Sequence, residues 1–394
     1  MLILQLLVPA SAGAWHKRTP AVVQITTADA GALAHPNWAG YRYVFFDSDA
    51  DLLGTGSEGR QAFVFDLQER AKTGLPALQQ LTGGPGDSQR PSSGVRGKLV
   101  VFDALTGGAG PRQLFLLDRR SGSTSALTRG TGDSLNGRMD DGSRVIVFES
   151  KADFFGTGVT GTQVYLVNLK LTDSACPYPC PANGNLGLTQ ITNKSGNSRN
   201  VMTSKGGKTV VFESDADLLG SGETETQIYR VDVRTGVITA FSHGPGASRS
   251  PTMSSKGGEI AFESEADLSG AGTGGTQIFL YTHLKKEPVL RQVTFAPGGN
   301  SVQPTIERNG KGLAFISTDD LLGTGSSGPE IFTYDVIRAT TSQITSVPGI
   351  SANPAYSAGV FTAFLSDGDL LNSGSTGLEL YVVNLFALGG RTLP

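Results

Sequence analysis

The stretch Val210-Val-Phe-Glu-Ser-Asp-Ala-Asp-Leu-Leu-Gly-Ser-Gly-Glu-Thr-Glu-Thr-Gln-Ile-Tyr229 decides the fold. β-Branched residues run into Phe212, a Gly/Asp-rich connection follows, and a second β-run carries Tyr229. That pattern reads as a hairpin. It recurs along the chain. The first run ends in Phe46, Phe102, Phe148, Phe212, Phe262, Phe315 and Phe364; the second carries Phe63, Phe115, Tyr165, Tyr229, Phe279, Phe332 and Tyr381. Six of these pairs are 17 residues apart and only Phe102 to Phe115 is shorter, at 13. Chance does not hold a spacing six times, so the chain is an array of units of about fifty residues.

Outward from the hairpin, a third segment is a short strand ending in threonine, as in Gln80-Leu-Thr82, Gln190-Ile-Thr192 and Gln343-Ile-Thr345. A loop of the form Gly-Pro-Gly-x-Ser follows (Gly84 to Ser88, Gly244 to Ser248), and the next segment opens with Pro91, Pro251, Pro304 or Pro354. Proline is acceptable at a strand's first residue, where no ladder donor is needed. Each unit therefore holds four strands, here A to D: A begins near the proline, B ends in Phe, C holds the second aromatic and D ends in Thr. Such a sheet cannot bury both faces alone, and radial stacking covers them. The expectation is an all-β, seven-bladed β-propeller of four-stranded antiparallel blades.

The chain starts with Ala21-Val-Val-Gln-Ile-Thr26, which matches strand D before any A, B or C has appeared. The N-terminal strand is therefore expected to complete the last blade, in preference to a strand from Arg391-Thr392-Leu393. Closure of this kind removes exposed edges. Residues 1–20 read as a leader, 21–385 as a single propeller and 386–394 as a C-terminal tail.

Net charge is −3 with both signs interspersed, which gives no reason to expect nucleic acid as a partner. No long apolar run follows the N-terminus, so a membrane span is not expected. The apolar leader ends in Ala10-Ser11-Ala12, which resembles a secretory cleavage site although a basic n-region is missing. Cys176 and Cys180 share a Pro-rich insertion and suit a local disulfide in an oxidising compartment. The expectation is a periplasmic or secreted monomer whose partner is a protein or polar ligand of the cell envelope.

The blade motif resembles that of the TolB-type (WD40-like) propeller repeat family. It is represented by Pro251-Thr-Met-Ser-Ser-Lys-Gly-Gly258, Ile260-Ala-Phe262, Gln277-Ile-Phe279 and Val293-Thr294. The resemblance runs from about Ala21 to Asn384. It implies the fold and is unspecific for function.

Four loops read Gly-x-Gly-x-x-Gly: Gly54 to Gly59, Gly156 to Gly161, Gly270 to Gly275 and Gly323 to Gly328. A dinucleotide site needs that pattern before a helix; here a strand follows, and a hairpin needing positive φ explains the glycines. The same loops carry Asp49/Asp51, Asp215/Asp217, Glu265/Asp267 and Asp367/Asp369, a pattern that a weak Ca²⁺ site could use. No bidentate Glu stands twelve positions on, and Asp caps its own turn readily. No other cofactor is expected.

The loop from D to A carries the most weight, because strand A lies nearest the axis. One aligned position reads His35, Arg90, Asn136, Asn200, Ser250, Gln303 and Asn353, polar in every repeat, with Arg199 and Arg249 one residue earlier. These residues are expected to rim the channel mouth and bind a ligand or partner there. The recurrent Ser88, Ser134, Ser198, Ser248, Ser301 and Ser351 read as backbone-bonding turn residues. Asp47, Asp103, Glu149, Glu213 and Glu263 follow the strand-B Phe, and their recurrence points to a hydrogen bond built into the blade.

Of the four histidines, His16, His35, His243 and His283, only His35 is aligned with the axis, and there is no Gly-x-Ser-x-Gly elbow. No catalytic residue is assigned. The reading is a binding or scaffold module; the alternatives are a propeller lyase or hydrolase acting on a polysaccharide, and a calcium-stabilised structural propeller.

Overall fold

The computed structural model describes residues 20–27, 31–74, 77–84, 86–107, 109–170, 187–283, 288–325, 328–346, 349–357, 359–374, 377–389 and 392–393. The leader and the cysteines Cys176 and Cys180 lie outside the described residues. Seven four-stranded sheets follow one another around an axis. In the fourth, strand A is Ser198–Thr203, B is Thr209–Ser214, C is Gln227–Asp232 and D is Ile238–Ala240. Neighbouring strands are antiparallel throughout.

The 17-residue spacing is the register of the B–C hairpin. Phe212 lies directly opposite Tyr229, and the corresponding aromatics are paired in all seven blades. Their rings stack with centroids 5.5 to 6.1 Å apart. Such pairs contribute ~0.5–1.5 kcal/mol beyond their buried area. The second blade keeps the Phe102–Phe115 pairing with a shorter loop.

Cores form between blades. Val145, Val147 and Val164 of the third blade pack with Val210, Phe212 and Tyr229 of the fourth. Phe361, Leu380 and Val382 of the last blade pack in the same way with Val44, Phe46 and Phe63 of the first. The ring is closed by Val22–Gln24, which pairs with Glu379–Asn384 as the last blade's strand D. Leu393 instead bridges Thr345 of the sixth blade.

The threonine that ends strand D has a repeated task. In the first blade Thr82 Oγ1 donates to Gln61 Oε1 (2.8 Å) and accepts the Ala62 amide (2.9 Å). Thr192 with Gln163 and Thr294 with Gln277 do the same. Each hydroxyl ties the end of D to the start of C.

Two sequence expectations are corrected. Strand A starts at the recurrent serine, not at the proline, which is its fourth residue in Ser88–Ser93 and Ser248–Met253. The proline sits in a bulge, where the ladder also asks for no donor. The serines begin the strand, and Ser134, Ser198, Ser248, Ser301 and Ser351 bond the serine that ends strand B at 2.8 to 3.3 Å rather than turn backbone. Ser88, opposite Ala104, keeps the expected backbone bond, donating to the Gly86 carbonyl at 3.3 Å. No described helix is long and apolar enough to cross a membrane.

Candidate functional site

Every strand A carries one bulge. In the first blade Ala34 pairs with Asp47 and Asn37 with Phe45, which leaves His35 and Pro36 facing Phe46 alone. The first bulge residue is left-handed in all seven blades: His35, Arg90, Asn136, Asn200, Ser250, Gln303 and Asn353 have φ between +50° and +54°. Glycine is the least costly residue there, and an L side chain costs ~1–2 kcal/mol. None of the seven is glycine.

The strand-B carboxylates offset that cost. His35 Nδ1 lies 2.7 Å from Asp47 Oδ2, Arg90 holds Asp103 through two bonds of 2.8 Å, Asn136 Nδ2 donates to Glu149 (2.6 Å) and Ser250 Oγ to Glu263 (3.0 Å). Each carboxylate also accepts a backbone amide from the next blade. Asp47 accepts from Arg90 (3.0 Å), Asp103 from Asn136 (3.3 Å), Glu149 from Val201 (3.4 Å), Glu213 from Ser250 (2.7 Å) and Glu263 from Gln303 (2.6 Å). The result is a belt that links blade to blade around the channel.

The belt changes character around the ring. Where the sixth and seventh blades would carry an acid, they carry Ile316 and Leu365, and Gln303 Oε1 accepts the Asn353 amide instead (3.1 Å). The seam between the last blade and the first is held lower down: Trp38 Nε1 donates to the Ala355 carbonyl (2.9 Å) and Ser357 Oγ to that of Gly40 (2.6 Å). Burial pushes Asp47 up, but His35, Arg60 and the Arg90 amide outweigh it and hold the carboxyl below its ordinary value. For Glu149 burial prevails over its hydrogen bonds and the pKa is raised. Glu263 is raised by burial and, to a lesser degree, by the charge of Glu213.

Six of the seven ring residues, all but Arg90, line a cavity of about 310 Å³ at the wide end of the channel. Arg90 is turned aside onto Asp103, Arg199 is exposed, and Arg249 pairs with Glu265 at 2.8 Å. The structure therefore brings together His35, Asn136, Asn200, Ser250, Gln303 and Asn353 of the expected ring and leaves the three arginines outside. The side-chain amides of Asn200 and Asn353 have no hydrogen-bond partner among the described residues.

Below the mouth a second ring reads Asn37, Ser92, Arg138, Met202, Thr252, Thr305 and Ala355. All seven line a second cavity of about 130 Å³ that reaches toward the narrow end, and all but Ser92 line the mouth cavity as well. That end is crossed by Arg308 Nε donating to Asp141 Oδ2 at 2.8 Å, between the sixth and third blades. Arg138 is the one charged residue in the ring. Gly137 stands where five other blades have proline; a Cβ there would meet Val101 at 2.8 Å, so glycine lets this strand approach the second blade. The alignment could have found Arg138, since it is the lone charge in its column two places after the polar ring.

The acids of the Gly-rich loops divide in two. Asp51, Asp153, Asp217, Asp267, Asp320 and Asp369 each accept the amides four and five residues on, at 2.7 to 3.0 Å. Those amides hold each carboxyl below the usual range. Asp49, Asp215 and Asp367 instead tie the amides of Ala32, Asn197 and Ile350 in the loop entering strand A.

No family model and no curated protein sequence matches the chain. Solved structures do match. The β-propeller domain of the trilobed protease from Pyrococcus furiosus has a TM-score of 0.59 at 10% identity, covering 91% of this chain and 94% of that one. An oligogalacturonate lyase in complex with manganese has a TM-score of 0.57 at 12% identity, covering 95% and 91%. A putative TolB from Agrobacterium tumefaciens also matches, at a TM-score of 0.44 and 18% identity over 68% and 83%, too distant a superposition to carry an argument. At such identities the likeness is one of fold: the chain is a seven-bladed β-propeller.

Proposed function

We propose that the chain is a binding module that takes a small polar ligand into the wide end of its axial channel. One observation carries this reading. Asn200 and Asn353 hold unpartnered amides on left-handed backbone, where glycine would be cheaper, and both face the mouth cavity. A volume of about 310 Å³ falls at the small end of the usual range for ligand sites. Both side chains stand on strands of the blades, Asn353 with Pro354 directly behind it, and a preorganised set of polar groups lowers the cost of binding. Export is part of the reading and rests on the Ala10-Ser11-Ala12 leader and the Cys176/Cys180 insertion. So is membership of the TolB-type repeat family, which rests on the blade motif.

The test is a thermal-shift screen of small polar ligands, with each hit mapped by amide chemical shifts. Perturbations should cluster at Asn136, Asn200, Gln303 and Asn353. Hits that map to the outer loops would contradict the reading.

A second reading, catalysis on a polysaccharide, is favoured by Glu263. Its pKa is raised by burial and, to a lesser degree, by the charge of neighbouring Glu213, and a carboxyl raised in this way can serve as the acid in glycosidic chemistry. Polysaccharide turnover abolished by Glu263→Gln would establish it.

A further inference from the structure

We propose that the waist of the channel is a binding site for a small oxyanion, a carboxylate or a phosphate, held by Arg138. The site rests on the reading of the wide mouth as the entrance, since that is the route by which a ligand reaches the waist.

Arg138 lines both cavities and stands between them. It makes no ion pair or side-chain hydrogen bond with a described residue. Its Nε is sealed in protein without a partner. The Nη nitrogens are not sealed in this way, and the residue lines the channel on both sides of the waist. The side chain is walled in by protein while keeping part of its surface on channel water. Burial therefore bears on its charge, and the guanidinium pKa is lowered by it.

The nearby carboxylates are committed elsewhere. Asp103 is held by Arg90 at 2.8 Å and Arg112 at 3.2 Å. Glu149 is held by Asn136 and the Val201 amide, and burial raises its pKa toward the neutral form. The second ring contains no acid. Its other polar members are neutral groups that can donate. Ser92 Oγ accepts the Met139 amide (3.2 Å) and Thr252 Oγ1 that of Ile306 (3.3 Å), which leaves each hydroxyl hydrogen free to point into the channel. Thr305 and Asn37 have side chains without a partner among the described residues. Glu149 and Asp103 attract Arg138 through space but form no ion pair with it. A buried arginine without a contacting counter-ion is costly, and one surrounded by neutral hydrogen-bonding groups is complementary to an oxyanion.

The folded chain is titrated with inorganic phosphate and, separately, with acetate, each at pH 7 and at fixed ionic strength set with chloride. The melting temperature of the wild type should rise with one or both probes and saturate. Whichever acts at lower concentration assigns the ligand as tetrahedral oxyanion or carboxylate. Arg138→Met should show no rise. It should also melt above the wild type in chloride alone, because it removes an unpaired buried charge; a purely structural arginine would lower the melting temperature at every concentration. Arg138→Lys keeps the charge and loses the paired donors, so it should bind roughly tenfold more weakly. It also serves if the methionine variant fails to fold.

Equal shifts in wild type and variants, or no shift with either probe, would overturn the site. Phosphate and acetate need only Arg138 and its neighbours, so that failure would leave an organic ligand at Asn200 and Asn353 standing. Conversely, a screen without mouth ligands would leave phosphate binding standing.

Discussion

Thr26 Oγ1 donates to Glu379 Oε2 at 2.5 Å and accepts the Leu380 amide at 2.9 Å, across 353 residues of sequence. Thr192 and Gln163 make the same pair inside one blade. The two ends of the ring are therefore joined by the chemistry that joins strands D and C elsewhere.

Removing that hydroxyl leaves two buried groups short of a partner. Thr26→Val should lower unfolding stability by about 1–3 kcal/mol, read from the midpoint of urea denaturation. Thr192→Val should cost a similar amount. Loss in the second variant without loss in the first would mean that the N-terminal strand does not close the ring.

The left-handed bulge predicts opposite effects at one position. Asn200→Gly relieves the backbone and should leave stability unchanged or raise it by up to ~1 kcal/mol. Asn200→Val forces a β-branched residue to φ near +51° and should cost about 2 kcal/mol or more. Thermal melts of the two variants decide it; equal effects would mean that the bulge relaxes.

Much of this fold was legible. The aromatic spacing is a hairpin register, the terminal Thr is a cross-strand hydrogen bond, and Ala21 to Thr26 had the pattern of a strand D. The ring of seven polar residues was found because the proline fixed its place. What it does was harder to see. Left-handed backbone is usually signalled by glycine, and here Asn, Gln, Ser, Arg and His fill the position, so the bulge stayed hidden. The strand-B acids were recognisable as structural by recurrence, but their second bond crosses to the next blade, which a single repeat cannot display. Arg199 and Arg249 were drawn in by adjacency, yet alternation along a strand turns neighbours to opposite faces. Arg138 was passed over because a charge in a core strand reads as an exception until the channel is seen.

Glu307 gives the chain a pH dependence. It is 2% exposed, its Oε2 has no partner, and burial raises its pKa from 4.5 to about 7. The unfolded chain ionises first, so the protonated form favours folding. That contribution is full below about pH 4.5 and is lost as pH rises to about 7, by up to ~3 kcal/mol. Denaturant midpoints at pH 5 and pH 8 should differ in the wild type and differ much less in Glu307→Gln. A variant that keeps the full difference would assign the dependence to other groups.

The ion pair between Arg308 and Asp141 spans the narrow end but is partly solvated, with side-chain exposures of 36% and 19%. Its coupling in a double-mutant cycle of Arg308→Ala and Asp141→Ala should be about 0.5–1 kcal/mol. Hydrogen exchange should quicken around residues 140–143 and 307–310 in either single variant. A coupling near zero would mean that the pair does not brace the channel.

The most direct test of the account is the affinity of a mouth ligand, measured by calorimetry on the wild type and on Asn200→Gly/Asn353→Gly. The double variant keeps the backbone geometry and removes the two unpartnered amides. The account predicts unchanged or higher stability together with binding weakened by roughly tenfold or more, the equivalent of about 1.4 kcal/mol. Unchanged affinity in a folded double variant would contradict recognition at the mouth.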